Sequence, residues 1–384
     1  MIRDTEKFNS FIADVRTWVR EVAMPNENLV EENAEIPEDI VADMRERGFY
    51  GWSIPEQYGG TGLTTEELAM AAMELSQCSV VFRARVGTNT GIGSEALIAD
   101  GTEEQKNLYL PKLASGDVTG CFAFTEPEAG SDAIAMRTTA IREGSSYILN
   151  GTKCFITNAP IAGFFTVFAR TDVNDPTYRG ITAFIIERDT PGLSVGKPYK
   201  MMGQSGSPVS EVYLNDCRVH RDNIVGGVEG MGFKTGMKAL NKQRIHLSAL
   251  CTGPAIRMLS EAVGHAKERV QFGRPIADFQ LVKALIADCQ ADIHAARALI
   301  LETARKRDNN ENIRMEASIC KYVASEMCGR VADRAVQIFG GSGYVADYSR
   351  IERWYRDVRL FRLYEGTSQI HQLNIARHTL EEKK

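Results

Sequence analysis

A chain of 384 residues has room for two or three domains, or for one large compound one. Hydrophobic residues make up 43% and charged residues 25%, the ordinary balance of a globular protein. A formal net charge of -5 provides no broad basic face for nucleic acid, and no apolar run approaches the ~20 residues needed to span a bilayer.

Met1 to Asn9 is polar and carries both charge signs. It lacks the apolar core of a secretory signal and the acid-poor character of a transit peptide, so a cytoplasmic location is expected. Phe8, Phe11, Ile12, Val15, Val19 and Val22 then recur at three- and four-residue steps, the helical period. Ile40, Val41, Met44 and Phe49 repeat it. Pro55 to Gly62 is a break rich in Pro and Gly. Thr65 is a candidate cap for a helix striped by Leu68, Ala71, Ala72 and Leu75. Helical stretches follow at Gly91 to Ile98 and at Glu103 to Leu113.

The texture changes near Gly116. From Val118 to Val219 the apolar runs are short, aromatic and β-branched. Asn150-Gly151 and Asn215-Asp216 read as turns between strands. A compact antiparallel barrel or sandwich of roughly 100 residues is expected here. Helix returns near Gly230. Val282, Leu285, Ile286, Cys289, Ile293, Ala296 and Ile300 form one long stripe; Met315, Ile319, Tyr322, Val323, Met327 and Val331 form another. Two long antiparallel helices with further partners imply a helical bundle. The expected division is residues 1–117, 118–228 and 229–384.

The eight cysteines are scattered, without a Cys-x-x-Cys pair, and read as reduced core thiols. The six histidines show no metal-ligand spacing, so no metal is expected. There is no GxGxxG fingerprint of the Rossmann type, no Walker loop and no Gly-x-Ser-x-Gly elbow, which argues against nicotinamide, ATP and serine-hydrolase chemistry.

Four strings carry chemistry: Thr125 to Asp132 (TEPEAGSD), Lys153 to Asn158 (KCFITN), Gln271 to Pro275 (QFGRP) and Leu363 to Ile370 (LYEGTSQI). In the last, Glu365 sits between an aromatic and a glycine, a setting for a base in a tight apolar cleft whose desolvation would raise its pKa. Taken alone, Glu365 also suits an acid placed before a helix N-terminus. The Gly130-Ser131 turn can offer amides to anionic oxygens, or simply end a strand.

In this order the four strings resemble the acyl-CoA dehydrogenase family over nearly the whole chain. The resemblance implies an α+β architecture: an N-terminal helical domain, a middle antiparallel β-barrel and a C-terminal four-helix bundle. It implies FAD as cofactor and oxidation of an acyl-CoA thioester between its α and β carbons. Glu365 would remove the pro-R α-proton, its backbone amide helping to hold the thioester oxygen. Electrons would pass to electron-transfer flavoprotein. Phe122, Phe124, Thr125 and Ser131 would line the FAD, with Ser131 and Gly366 also near the CoA ester. Phe155 and Thr157 would form the other wall, although an aromatic on a strand is commonly barrel core. Arg269, Gln271, Phe272, Gln280, Gln337 and Gly341 would reach the FAD of a neighbouring subunit, implying a homotetramer. Thr367 and Gln369 would touch the cofactor of their own subunit. Asn241, Arg244 and Arg377 match CoA contacts; Arg244 serves equally as a structural ion-pair residue. Gln243 stands where some members place their catalytic glutamate, which leaves Glu365 as the base.

The acyl group is less legible. Arg83 matches the position where glutaryl-CoA dehydrogenases hold a distal carboxylate with an arginine. Arg83 and Arg85 also suit surface or intersubunit charges, and alternation on an extended segment allows at most one to point inward; the substrate is then a short, medium or branched monocarboxylic acyl chain. An oxidase or lyase on the same fold, and a non-catalytic CoA-ester-binding subunit, are the rival readings. Gln204, after Gly203, departs from a form in which an arginine often follows the glycine, and puts a local salt bridge in question.

Overall fold

The computed structural model describes residues 1–381. Helix α1 (Thr5–Trp18) starts on Asp4, whose side chain accepts the Lys7 N–H at 3.1 Å. It passes through one wide turn at Val19–Ala23 into α2 (Met24–Asn33). The stripe read from Phe8 to Val22 therefore runs along α1 into this wide turn, with Phe8, Val15 and Val19 buried. Next come α3 (Glu38–Glu46), α4 (Thr65–Leu75), α5 (Val80–Gly87), α6 (Ile92–Asp100) and α7 (Glu103–Ser115). The cap of α4 is Thr64 rather than Thr65. Its hydroxyl accepts the Glu67 N–H while Glu67 accepts the Thr64 N–H, a reciprocal box that Thr102 and Gln105 repeat on α7.

The middle third is one seven-stranded sheet of β1 (Gly120–Ala123), β2 (Thr139–Glu143), β3 (Ser146–Thr157), β4 (Phe164–Arg170), β5 (Ile181–Glu187), β6 (Leu193–Val195) and β7 (Val209–His220). It is mostly antiparallel, but β1 runs parallel to β4, with Gly120 opposite Phe164. Neither predicted turn reverses the chain. Asn150 lies inside β3 and Asn215-Asp216 inside β7, and the register slips between them. The Asn150 amide donates to the Asp216 carboxylate at 3.0 Å, and the Asp216 N–H donates back at 2.8 Å. Turn-prone residues suit a bulge for the same reason they suit a turn: Asp216 has φ 49°. Gly151 is needed for close approach, since a Cβ there would lie 2.3 Å from the Thr138 hydroxyl. The actual β2–β3 turn is Gly144-Ser145, with Gly144 at φ 62°.

The last third consists of α8 (Gly232–Glu268), a small hairpin of β8 (Val270–Gln271) and β9 (Arg274–Pro275), α9 (Gln280–Asp308), α10 (Arg314–Phe339), α11 (Ile351–Val358) and α12 (Ser368–Glu381). Helix α10 packs on α8, α9, α11 and α12. Its core stripe is largely small: Ala317, Cys320, Ala324, Cys328 and Ala332 are buried along with the expected Met327 and Val331, while Ile319, Tyr322 and Val323 are only half-buried. Small side chains let the helices approach closely, so these three larger ones fall on the neighbouring face. All eight cysteines are buried and free. No described helix is long and apolar enough to cross a membrane. The sheet, the N-terminal helices α5 and α6, and the helical bundle converge on one cleft.

Candidate active site

Glu365 lies on the short link between the 3₁₀ turn Arg359–Arg362 and α12. Its φ is 53° and that of Gly366 is 93°. A left-handed glutamate is strained, and strain of this kind collects at functional sites. The residue is half-buried, but its Oε2 is buried and has no hydrogen-bond partner. Burial raises its pKa; the nearby Arg83, Lys321 and Arg244 partly offset that rise.

The residue borders a cavity of about 390 Å³. One wall is Phe122, Phe124 and Thr125 at the end of β1, with Ser131 in the turn beyond. The facing edge is Phe155, Ile156 and Thr157 at the end of β3. Phe155 is not barrel core. It is 68% exposed at φ 57°, with its ring 5.5 Å from that of Tyr199. A fully buried Lys153 fixes this corner: its ammonium donates to Glu126 at 2.7 Å and to the Phe124 carbonyl at 3.2 Å. Glu126 also accepts the N–H groups of Arg137 and Thr138 at 2.6 and 3.0 Å. Burial brings the Lys153 ammonium down to about 8.

Arg83 also lines the cavity, with its guanidinium beside Gly87 and Tyr364. Its segment is helix α5, not an extended strand. Residues two apart on a helix are roughly 200° apart, so Arg85 points elsewhere, donating to Thr119 at 2.9 Å. Arg83 is 8% exposed and donates to the Tyr364 hydroxyl, while its Nε has no partner. No described carboxylate pairs with it. Arg244 also lines the cavity and is buried. It donates to Asn241 at 2.7 Å, its Nε is unpartnered, and it makes no ion pair among the described residues. Gln243 is buried behind the cavity, accepting from His246 at 3.1 Å.

A second cavity of about 590 Å³ adjoins the first through Phe233, Met237, Arg244 and Asn374. Asn241 and Arg377 line it, together with Tyr178, Lys234, Arg314 and His378. The Lys234 ammonium lies 5.9 Å from the centre of the Tyr178 ring.

Eight of the expected residues line neither cavity: six were expected to reach a neighbouring subunit's cofactor, and only Thr367 and Gln369 that of their own subunit. Arg269, Gln271, Phe272, Gln280, Gln337 and Gly341 are exposed on the helical third, Phe272 at 93%. Thr367 accepts the Ile370 N–H at 3.3 Å, and Gln369 is exposed. Sequence reasoning missed Lys321 and His371, both fully buried beside Glu365. A lysine in step with Ala317 and Ala324 was the available signal for the first. It also missed the partner of Gln204: the Gln204 N–H donates to buried Asp357, and its side-chain amide donates to the Asp357 carbonyl at 3.0 Å.

Known proteins are similar to this chain over nearly its whole length. Models of the acyl-CoA dehydrogenase N-terminal, middle and C-terminal domains match residues 5–117, 121–217 and 230–380. The chain is 41% identical over 366 residues to a 3-(aryl)acrylate reductase of Clostridium sporogenes, covering 95% of this chain and 96% of that protein. It is 40% identical over 347 residues to CarC, a subunit of the caffeyl-CoA reductase-Etf complex of Acetobacterium woodii, covering 90% and 91%. The butyryl-CoA dehydrogenase structure from Megasphaera elsdenii superposes with a TM-score of 0.94 at 33% identity, over 99% of this chain and 100% of that one. The chain belongs to the acyl-CoA dehydrogenase family.

Proposed function

We propose that this protein is an FAD-dependent oxidoreductase acting on the α,β carbon pair of an acyl-CoA thioester, with Glu365 exchanging the α-proton. The observation that carries this reading is the unpaired, buried Glu365 oxygen in a cavity that has an aromatic wall on one side and a basic groove on the other. The residues fit a flavin. An exposed, strained Phe155 with Phe122 and Phe124 suits a planar ring, and Thr125, Ser131 and Thr157 suit its polar edge. When bound, FAD supplies the hydride chemistry at the β carbon.

The chain's own residues do the rest. Desolvated Glu365 is a stronger base than an exposed carboxylate, which suits a weakly acidic α-proton. Asn241, Arg244 and Arg377 border the path for the CoA moiety, and Lys234 and Arg314 add cationic groups without described carboxylate partners. Lys238, by contrast, is paired with Asp100 at 2.6 Å. Arg83 favours an acyl tail with an anionic or strongly accepting terminus, as in glutaryl-CoA, because it is a buried guanidinium with no ion-pair partner among the described residues and an unpartnered Nε. Electron-transfer flavoprotein is the proposed electron partner, in keeping with the relative named as part of an Etf complex. The exposed Phe272 hairpin, with Arg269, Gln271, Gln280, Gln337 and Gly341, suits contact with a second subunit's cofactor in a homotetramer.

A second reading runs the site in reverse, reducing an enoyl thioester. Two relatives at 40% and 41% identity are named as reductases. A carboxyl whose pKa is raised is a competent proton donor as well as an acceptor. Anaerobic absorbance of the purified protein separates the directions. Bleaching of the flavin band by butyryl-, octanoyl-, isovaleryl- or glutaryl-CoA supports oxidation. Rapid return of the band on adding crotonyl- or cinnamoyl-CoA to dithionite-reduced protein supports reduction. A colourless protein, or a yellow one indifferent to all these esters, counts against both.

A further inference from the structure

We infer that Lys321 and His371 form a clamp that holds the Glu365-Gly366 link in its left-handed conformation and so keeps the Glu365 carboxylate free in the cavity. The inference rests on the reading of Glu365 as the base. Two successive residues with positive φ are not held by regular helix or sheet hydrogen bonds, and for the glutamate that conformation is strained. Two side chains from different helices take the two carbonyls. His371, on α12, donates its Nε2–H to the Glu365 carbonyl at 3.2 Å. Lys321, on α10, donates its ammonium to the Gly366 carbonyl at 2.7 Å.

Both donors are fully buried. An ammonium in the α10 core stripe is costly, and burial lowers its pKa. Its hydrogen bond goes to a backbone carbonyl, and it forms no ion pair with Glu365. The cation is therefore near the carboxylate without occupying it. The carbonyl contact fixes the His371 tautomer, because a carbonyl can only accept; Nδ1 is left bare and unpartnered. Burial takes the imidazole down to about 3, so it is neutral at pH 7. The fit is tight. A Cβ on Gly366 would sit 2.9 Å from His371 Nε2. Ser368 secures the start of α12 by donating to Glu326 at 2.5 Å. The charged and titratable groups near Glu365 are Arg83 from α5, Arg244 and the Cys251 thiol from α8, Lys321 from α10, His371 from α12 and the neighbouring Tyr364 hydroxyl. Lys321 and His371 are positioning residues, since neither borders the cavity.

The test compares the flavin-loaded His371→Leu, His371→Gln, Lys321→Met and Lys321→Arg variants with the parent. Stopped-flow bleaching is followed with whichever of butyryl- or glutaryl-CoA bleaches the parent. A misplaced base costs about tenfold to a hundredfold in the bleaching rate, so His371→Leu and Lys321→Met should fall by that much with little change in the ester concentration giving half-maximal rate. His371→Gln and Lys321→Arg keep a donor and should recover most of it. In Lys321→Met the rise of rate with pH should also shift to higher pH, because a cation near Glu365 is gone; a purely structural role would not move that limb. A crystal structure of His371→Leu gives a readout that needs no substrate: Glu365 should leave positive φ. Parent-like rates in both apolar variants, or an unchanged Glu365 φ without the imidazole, overturns the clamp. Parent-like bleaching by Glu365→Gln would instead overturn the base assignment and leave the backbone readout standing.

Discussion

The Arg83 guanidinium donates to the hydroxyl of Tyr364, the residue next to Glu365, and lies 5.8 Å from the centre of the Phe361 ring and 5.9 Å from that of Tyr364. One buried cation thus touches the segment that carries Glu365 and lines the same cavity. Its aromatic neighbours soften the charge without neutralising it.

Arg83 should therefore decide between tails. A hydrogen bond to a charged group contributes about 1.5–3 kcal/mol, roughly tenfold to a hundredfold. Arg83→Met should lower kcat/KM for glutaryl-CoA by that factor while butyryl-CoA loses much less. Steady-state rates with both esters check this; an equal fall for the two would make Arg83 a structural residue.

The corner beneath the aromatic wall should be brittle. Removing one partner of a buried ion pair strands the other charge at a cost of about 3–5 kcal/mol. Lys153→Met leaves Glu126 buried beside Phe124 and Thr125. The variant should unfold at lower temperature and lose FAD more readily than the parent. Adding Glu126→Gln should recover part of the loss. Thermal melts with released flavin fluorescence measure both effects, and a parent-like single variant would refute them.

Asp357 should make stability depend on pH. Burial pushes its carboxyl up from 3.8 to about 7. Between those values the folded state keeps a proton that the unfolded state has released, so this group's contribution falls as pH rises across the window and the full penalty is present above it. Asp357→Asn retains a carbonyl for the Gln204 N–H and cannot ionise. Its melting temperature should exceed the parent's at pH 8, with the gap closing toward pH 5. Parallel melting curves across that range would show that Asp357 is not penalised. Because Gln204 and Ser207 border the acyl cavity, the same titration reaches the wall of the site.

Periodicity made the helical thirds legible, and β-branched texture marked the sheet between them. The errors have physical causes. Asn150-Gly151 and Asn215-Asp216 are good turn residues, and a bulge between two long strands uses the same backbone freedom. Of the expected α10 stripe, Met327 and Val331 are buried, whereas Met315, Ile319, Tyr322 and Val323 are only half-buried and alanine and cysteine fill the rest of the buried face. Glu365, Phe155 and Arg83, named from short strings or a matching position, all line the cavity. Lys321 and His371 were not named, since what they do depends on two carbonyls brought to them from elsewhere in the chain. Asp357 escaped for a similar reason: Gln204 is 153 positions away.

The central claim is that Glu365 moves the α-proton. Its most direct test is anaerobic mixing of the flavin-loaded parent and of Glu365→Gln with an ester that bleaches the parent, followed at the flavin band across pH. The parent should bleach faster as pH rises through a Glu365 ionisation above the ordinary carboxylate value of 4.5. Glu365→Gln should bind the ester, stay yellow, and lose at least about a thousandfold in rate, as expected for loss of a general base in a water-excluded site. Bleaching of Glu365→Gln at a rate near the parent's would contradict the account and place the proton transfer on another residue.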